Sequence, residues 1–335
     1  ANFIGARKVT YIVSGVLVVI GILGVNPHIM GKLNLGIDFS GGRNYIIRFA
    51  EPVNTQEVNA ALDNVFMEAK SELADEETFA LNVITIGDAN QVRVSTNYRI
   101  NDNSETLDDE IEALLYEGCK QFLPENVTLK EFTSTDINPE IGIMQSQKVG
   151  PAIADDITQS AVWAVLAALL GIFLYVLLRF RNFSFSVGAL AGLAHNTLIV
   201  LGAYALLWKV MPFSMEIDQS FIAAILTVIG YSINDTVVIF DRVREYTGLY
   251  PKRARKQNIN DALNQTLSRT FSTSMSTLVV LIAIFCFGGE TIRGFVFALI
   301  IGVVVGTYSS LCVATPLAYD IQEALDRRKA KKASK

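Results

Sequence analysis

The segment Ala161-Val-Trp-Ala-Val-Leu-Ala-Ala-Leu-Leu-Gly-Ile-Phe-Leu-Tyr-Val-Leu-Leu178 decides the fold, because it carries no charged side chain over its whole length. A helix rises about 1.5 Å per residue, so roughly 20 such residues cross the ~30 Å apolar core of a bilayer. Five further segments are nearly as apolar, and we predict that all six span a membrane. The other five are Val9–Val25, Val187–Leu207, Phe221–Phe240, Ser268–Phe287 and Gly294–Ala314.

The first predicted span has an alternative interpretation. Arg7 and Lys8 precede its apolar residues, as basic residues do in a secretory signal peptide. The apolar run is long for a signal core, and Val25-Asn26-Pro27-His28 is a poor cleavage site. We therefore predict that the segment is kept as a helix.

The fifth predicted span is the least apolar. Between Ser268 and Thr277 it holds seven Ser or Thr residues, together with Arg269. Such side chains are costly in contact with lipid. This half of the helix should therefore face other helices or water.

Lysine and arginine indicate the orientation, because cytoplasmic loops are enriched in them. Most of the 28 fall at the termini, after the second span and after the fourth, whereas the two short loops opposite hold only Lys209 and Arg293. We predict cytoplasmic termini and an extracytoplasmic domain, whose 23 acidic and 9 basic residues give a formal charge of −14. The predicted parts are residues 1–28 with the first span, the domain 29–157, the five spans in 158–318, and a basic tail 319–335.

The exported domain shows the pattern of a small α+β fold. Strand-forming residues occupy Arg43–Ala50, Leu81–Ile86, Gln91–Asn97 and Val127–Thr133. Helical patterns run from an Asn54 cap to about Lys70, and over Ser104–Gln121. The order βαββαβ predicts a ferredoxin-like antiparallel sheet. The domain has no histidine, phosphate loop or nucleophile elbow, so we favour a binding module over an enzyme and expect no cofactor or metal.

Two glycine-containing segments join this domain to the membrane, Gly36-Ile-Asp-Phe-Ser-Gly-Gly42 and Val149-Gly-Pro-Ala152. Glycine permits tight turns and close approach of backbones. The segments are either hinges or ordinary entry turns of a domain. The candidate hinge residues are Gly36, Asp38, Gly41, Gly42, Gly150 and Pro151.

Asp235 lies inside the fourth predicted span, in the motif Gly230-Tyr-Ser-Ile-Asn-Asp-Thr-Val-Val-Ile-Phe-Asp-Arg242. A charged Asp near the middle of a spanning helix costs roughly 2.5–3.5 kcal/mol, so we expect it to face inward. Thr227, Tyr231 and Val238 share its helical face. The candidate supporting residues are Tyr231, Ser232, Asn234 and Thr236.

Arg269 enters the fifth span from the same side of the membrane as the end of the fourth, so it can approach Asp235. Two hypotheses remain open. Either the two residues form a permanent ion pair that fixes helix packing, or Asp235 binds and releases a proton and pairs with Arg269 in one state only. A low dielectric favours the neutral acid and an arginine favours the anion, so a change of contact would change the proton affinity.

His195-Asn196 in the third predicted span is a second polar position. A histidine in an apolar run is usually a packing residue that has its hydrogen bonds satisfied. A place in a proton relay is the alternative.

Five segments together resemble the SecF family, a resemblance that covers essentially the whole chain. They are Gly36-Ile-Asp-Phe-Ser-Gly-Gly42, Val149-Gly-Pro151, the motif Gly230–Arg242, Leu267-Ser-Arg-Thr270 and Gly306-Thr-Tyr-Ser-Ser310. The fourth-span motif is the long and specific part of the match.

The resemblance implies a partner, SecD, with which SecF-like chains form a pseudo-symmetric twelve-helix assembly of the RND transporter superfamily. It also implies work with the SecYEG channel in the bacterial inner membrane, where the proton gradient promotes late steps of preprotein translocation. In some bacteria SecD and SecF are fused into one chain. A sequence that begins at Ala1 is expected both for the SecF part of such a fusion and for a processed or engineered terminus.

Two residues correspond to the family's proton-coupling pair. Asp235 matches its membrane-embedded, proton-responsive aspartate, and Arg269 matches the partner arginine. SecF chains often have His-Asp where this chain has His195-Asn196, and asparagine cannot titrate. This departure argues against a proton relay through that position.

Two other functions compete with protein export. One is an RND-type exporter of lipids or small molecules, which calls for a second repeat and larger exported domains. The other is a structural scaffold for SecD without its own proton role. The basic tail is interpreted as a topology signal that can also contact membrane lipid, and no nucleic-acid partner is expected.

Overall fold

The structure, a computed structural model, describes residues 1–25, 33–72, 79–102, 104 and 106–333. The predicted boundary after residue 28 lies outside these residues. In chain order the elements are α1 Phe3–Val25, α2 Ile37–Ser40, β1 Gly42–Arg48, α3 Thr55–Glu72, β2 Leu81–Thr85, β3 Gln91–Thr96, α4 Thr106–Cys119, α5 Leu129–Thr133, β4 Gly142–Val149, α6 Pro151–Phe180, α7 Phe183–Leu207, α8 Gln219–Leu249, α9 Arg255–Phe287, α10 Glu290–Ser309 and α11 Thr315–Ala333.

Within the described residues, six helices are long and apolar enough to cross a membrane. They are α1, α6, α7, α8, α9 and the continuous rod formed by α10 and α11. Polar side chains cap the first turns of two of these helices. Asp218 accepts a hydrogen bond from the backbone N–H of Phe221 at the start of α8, and Asn182 accepts one from Ser184 at the start of α7. The six predicted spans are confirmed.

Close packing of the spans depends on glycine. A Cβ at Gly202 of α7 would overlap the backbone of Gly21 in α1, and a Cβ at Gly302 of α10 would overlap Val228 in α8. Helices in lipid gain stability mainly from such close contact, since their surroundings are already apolar. These two contacts hold α1 against α7 and α8 against α10.

The sixth span is interrupted near its end. Residues Ser310–Ala314 form a π-helical turn between α10 and α11. Pro316 has no backbone N–H and would clash with the carbonyl of Cys312 in a regular helix. The turn relieves this clash, and the freed carbonyl of Cys312 accepts a hydrogen bond from Thr10 Oγ1 at 3.1 Å.

The domain between the first two spans is a four-stranded antiparallel sheet in the order β2-β3-β1-β4. Its helices α3 and α4 pack against one face, where Tyr45, Ile47, Val92 and Val94 are buried. This order, with the connection βαββαβ, is that of the ferredoxin-like fold, as predicted.

One predicted strand of this domain is wrong. Residues Val127–Thr133 do not form the last strand; instead Leu129–Thr133 is the short helix α5. Thr128 and Glu131 form a capping box, in which each side chain accepts a hydrogen bond from the other residue's backbone N–H. The last strand is β4, whose Gly142–Val149 leads through Gly150 directly into α6.

Candidate functional site

Helix α8 places Asp235 in the interior of the helix bundle, where the residue is 6% exposed. The polar groups that act on its carboxyl come from α9 and are Arg269, Thr273 and Ser274. Its Oδ2 atom is buried and has no hydrogen-bond partner among the described residues. A carboxylate oxygen in this state is costly to keep charged, because burial removes its water without a replacement.

Arg269 is exposed on the outer face of α9. It acts on Asp235 through its charge. Within the part of the chain that the structure describes, no nitrogen–oxygen contact of 4.0 Å or less joins the two side chains. The arginine therefore stands near the carboxyl without forming an ion pair with it in this structure.

Hydroxyl groups continue the polar surface around Asp235. Ser274 Oγ of α9 lies 2.6 Å from Thr307 Oγ1 of α10. The hydroxyl of Tyr231, one turn before Asp235, donates a hydrogen bond to Thr277 Oγ1 at 3.3 Å. These pairs link the fourth, fifth and sixth spans at the depth of the carboxyl.

A second polar network lies between α7, α8 and the π-helical turn. Asn196 Nδ2 donates a hydrogen bond to Ser232 Oγ at 2.8 Å, and Asn196 Oδ1 lies 3.3 Å from His195 Nδ1. Thr236 Oγ1 lies 2.9 Å from Ser310 Oγ. His195 Nε2 is buried and, among the described residues, has no hydrogen-bond partner.

Gly306 of α10 permits this second network to form. A Cβ at Gly306 would lie 3.1 Å from Ser232 Oγ, which is a tight contact, and 3.6 Å from Asn196 Nδ2, which is an ordinary one. The glycine lets α10 approach α8 at the point where α7 also meets it. The sequence reveals the glycine but not which residues it faces.

The structure brings together most of the predicted site residues, but not Asn234. Tyr231, Ser232, Asp235 and Thr236 face the bundle interior, whereas Asn234 is exposed on the opposite side of α8. Sequence reasoning missed Thr273, Ser274, Thr307 and Ser310 as members of the site. Their signal was the cluster of Ser and Thr residues in the fifth and sixth spans, which did not show which side each residue faces.

The predicted hinge residues form a packed junction at the other end of α8. Gly41 and Gly42 adopt positive φ angles of 70° and 147°. A Cβ at Gly42 would lie 2.7 Å from the Thr96 carbonyl oxygen, and Gly41 lies beside Pro151 at the start of α6. Asp38 Oδ2 accepts a hydrogen bond from the backbone N–H of Gln219 at 3.2 Å. Asp38, in the segment that leads into the sheet domain, therefore helps to cap α8.

The loop between the third and fourth spans completes the junction. The backbone N–H of Gly36 donates to the carbonyl of Ile217 at 2.9 Å, and Ile217 N–H donates to the carbonyl of Asn34 at 2.8 Å. Burial raises the pKa of Asp218, and the nearby charge of Asp38 adds to this, while the hydrogen bond from Phe221 opposes it.

Glu216 in the same loop contacts the sheet domain. It forms an ion pair with Arg93 at 2.8 Å and accepts a hydrogen bond from Asn82 Nδ2 at 2.6 Å. These partners lie on β3 and β2, on the sheet face opposite α3 and α4. We call this set the Glu216 clasp. No sequence feature pointed to it, because an acidic residue in a short loop is ordinary.

Comparison with known proteins assigns the chain to a family. Residues 129–324 match the model described as "Protein export membrane protein SecD/SecF, C-terminal", and residues 31–53 match the "SecD/SecF GG Motif". The chain is 38% identical over 321 residues to the protein translocase subunit SecF of Rhodothermus marinus. The alignment covers 96% of this chain and 92% of that protein. The chain belongs to the SecF family. The SecF subunit of Haemophilus influenzae is 34% identical, over 96% of this chain and 86% of its own length.

Solved structures of SecDF are similar to this SecF-family chain. A crystal structure of SecDF from Thermus thermophilus has a TM-score of 0.74 and 29% identity, over 96% of this chain and 39% of that one. SecDF in a super-membrane-facing form has a TM-score of 0.61 and 30% identity, over 100% of this chain and 40% of that one. The chain thus spans well under half of those SecDF chains. The predicted family, its multi-pass membrane fold and a role in protein export are confirmed.

Proposed function

We propose that this SecF-family chain works with SecD to couple the proton gradient to late steps of protein export, and that Asp235 carries the proton. The observation that supports this most is the state of the carboxyl. It is 6% exposed, and its Oδ2 atom has no hydrogen-bond partner among the described residues. Ionisable groups inside a membrane are rare, and they commonly belong to proton or ion routes.

Arg269 is proposed to pair with Asp235 in one state of the cycle and to leave it in another. Its charge acts on the carboxyl without direct contact, which suits an intermediate between those states. Contact would favour the anion and release the proton, whereas separation would favour the neutral acid. The hydroxyls of Thr273 and Ser274 lie beside the carboxyl and can receive hydrogen bonds from its protonated form.

Helix α8 offers a mechanical connection from the proton site to the exported domain. Asp235 and Asp218 lie on one continuous helix, about 25 Å apart at 1.5 Å per residue. The far end of the helix is bound to the domain's stem through Asp38 and Ile217. A shift of α8 on protonation would therefore move the junction.

SecD is proposed to cover the polar outer face of α9. Ser268, Ser272 and Ser276 recur on its exposed side, next to Arg269. An arginine facing lipid is costly, so a second protein surface or water is the favoured environment. The exposed Asn234 of α8 has the same need.

The remaining partners and the orientation follow the same proposal. The chain acts beside the SecYEG channel on the translocating preprotein, within membrane lipid, and is not an enzyme. Both termini lie in the cytoplasm and the sheet domain lies outside it, as the distribution of Lys and Arg supports.

Replacement of the carboxyl by an amide tests the proton role. In vesicles that hold the full translocation machinery, Asp235→Asn should abolish the stimulation of secretion by the proton gradient, because asparagine keeps the size but cannot titrate. Asp241→Asn on the same helix is the matched control. Asp241 pairs with Arg179 and Arg244 near the helix end, so its loss should leave the stimulation in place.

Copurification with SecD must show that both variants assemble. If Asp235→Asn assembles and the stimulation survives in full, Asp235 is a packing residue and the chain acts as a scaffold for SecD.

A further inference from the structure

An open groove separates the exported domain from the membrane helices. Its volume is about 680 Å³, within the usual range for a binding site. One wall is the edge strand β2 together with Ala80 just before it, and every residue from Ala80 to Thr85 contributes. The other wall is the loop that follows α7, from Trp208 to Met215.

The backbone of β2 presents unused hydrogen-bonding groups to this groove. The strand pairs with β3 on one side, and it is the outermost strand of the sheet. On either side of β2, the N–H of Ile86 donates to the carbonyl of Gln91, and the N–H of Asn97 donates to the carbonyl of Ala80. The register between the two strands is constant, so the even-numbered residues Asn82 and Ile84 also point their backbone groups toward β3. In an antiparallel ladder the alternate residues then point their N–H and C=O groups outward. Within the described residues, these groups of Leu81, Val83 and Thr85 have no partner.

The opposite wall suits many different side chains. Trp208, Met211 and Phe213 offer aromatic and thioether surfaces, which adapt to apolar groups of varied shape. Lys209 is exposed at the mouth of the groove and stacks its ammonium on the Trp208 ring at 5.0 Å. Sites with flexible, methionine-containing walls typically accept many partners.

The Glu216 clasp keeps the two walls apart at a fixed distance. Arg93 and Asn82 belong to the sheet, and Glu216 belongs to the loop that follows the second wall. The Glu216 and Arg93 side chains are only 10% and 18% exposed, so solvent screens the pair weakly. The groove is thereby held open without a ligand.

We infer that this groove binds an extended segment of the exported polypeptide as an additional strand beside β2. An edge strand recognises main-chain amides, which every polypeptide has, and the apolar wall accepts alternate side chains. A lipid or small molecule would leave the outward amides unpaired. The formal charge of −14 on the domain favours neutral or basic segments over acidic ones. The inference rests on the proposed function in export, but it does not depend on the proton role of Asp235.

A cross-linking experiment tests the occupant. The chain, assembled with SecD and the channel in vesicles, carries the photoreactive substitution Lys209→p-benzoylphenylalanine at the groove. A preprotein stalled in the channel, with an unfolded basic segment outside, is the probe. We expect a cross-link to the preprotein from position 209 and none from the same photoreactive group at Ser146, which is exposed on the opposite edge strand β4.

A proline substitution tests whether the main chain is recognised. Thr85→Pro removes an outward N–H, and edge strands tolerate proline at such positions. Loss of one hydrogen bond should lower the cross-link yield from position 209 by about fivefold. Lys148→Pro is the matched control, because the same alternation in the pairing of β4 with β1 points the Lys148 N–H outward. It should leave the cross-link yield from position 209 unchanged.

Three results would overturn the inference. They are equal cross-linking from Ser146, a yield that Thr85→Pro does not change, or a cross-link from position 209 to SecD that persists during export. The last result would assign the edge to a strand of SecD. The two proposals can fail separately. If Asp235→Asn left gradient-driven secretion intact while position 209 still cross-linked the preprotein, the proposed proton role of Asp235 would be wrong and the proposed binding of the preprotein in the groove would be supported.

Discussion

At the scale of single residues, Asn196 sets the state of the histidine beside it. Its Nδ2 donates to Ser232, so Oδ1 is the atom that faces His195 Nδ1 and must accept a hydrogen there. The hydrogen of the neutral ring then lies on Nδ1, which leaves Nε2 as an acceptor. Asparagine cannot pass a proton on, so a proton bound at His195 would leave by another route than toward Ser232.

Asp218 gives the junction a dependence on pH. Burial raises the pKa of this carboxyl above 3.8, its ordinary value. An acid whose pKa is raised by folding contributes stability below its unfolded pKa and loses that contribution as the pH rises through the folded value. We expect the contribution of Asp218 to the melting temperature to fall as the pH rises from about 4, so Asp218→Asn should raise the melting temperature at neutral pH relative to that at pH 4.

Asparagine at position 218 keeps an oxygen for the N–H of Phe221, so the helix cap survives the change. The exposed Asp136 is the control residue, and Asp136→Asn should leave the profile as it is. A profile that Asp218→Asn does not alter would show that the buried carboxyl has no effect on stability.

At the scale of elements, the sequence predicts what periodicity and apolarity can encode. The spans, the two long helices of the domain and three of its strands follow from those patterns. Leu129–Thr133 did not, because Thr128-Leu-Lys-Glu131 carries a capping signal that outweighs the strand preference of Val127 and Phe132. β4 was missed because its residues Gln145–Lys148 are all exposed, so no alternation marks the strand.

The capping box of α5 is open to a direct test. Thr128→Ala removes the side-chain acceptor for Glu131 N–H and should cost about 1 kcal/mol, the usual value for a lost cap. Amide hydrogen exchange across residues 129–133 should then become about fivefold faster. Thr133→Ala in the same helix loses a hydrogen bond to the Leu129 carbonyl only and serves as the comparison. Equal exchange in both variants would remove the capping box as the reason for the helix.

At the scale of the whole molecule, side-chain and backbone hydrogen bonds join the sheet domain to the loop before α8. Sequence patterns predicted the domain and the membrane helices, yet gave no information on how they meet. That contact depends on Glu216, Ile217 and Asp38, which are distant in sequence from their partners. The same limit applies to the candidate site, since the sequence predicted that Arg269 can approach Asp235 but did not predict the hydroxyls of α9 and α10 beside it.

The Glu216 clasp should control how firmly the domain is held. Glu216→Gln keeps a hydrogen bond for Asn82 but leaves Arg93 without its counter-charge, which should cost roughly 1–3 kcal/mol. Hydrogen exchange should accelerate in β2, β3 and residues 208–217 of the assembled chain. Glu245→Gln breaks an exposed pair with Arg242 at the far end of α8, so it should change exchange very little. Matching exchange in the two variants would mean that the clasp is not what holds the domain.

The π-helical turn at Ser310–Ala314 has a geometric consequence for the end of the chain. It holds one residue more than an α-helical turn of equal rise, as if a single amino acid had been inserted there. Each residue of a helix accounts for about 100° of rotation. Every side chain of α11 therefore takes the direction that the preceding residue would have in an uninterrupted helix. Asp320, which pairs with Arg7 at 2.9 Å, is one of these side chains. Deletion of one residue here would turn the basic tail about a quarter of the way round and separate the two ends of the chain.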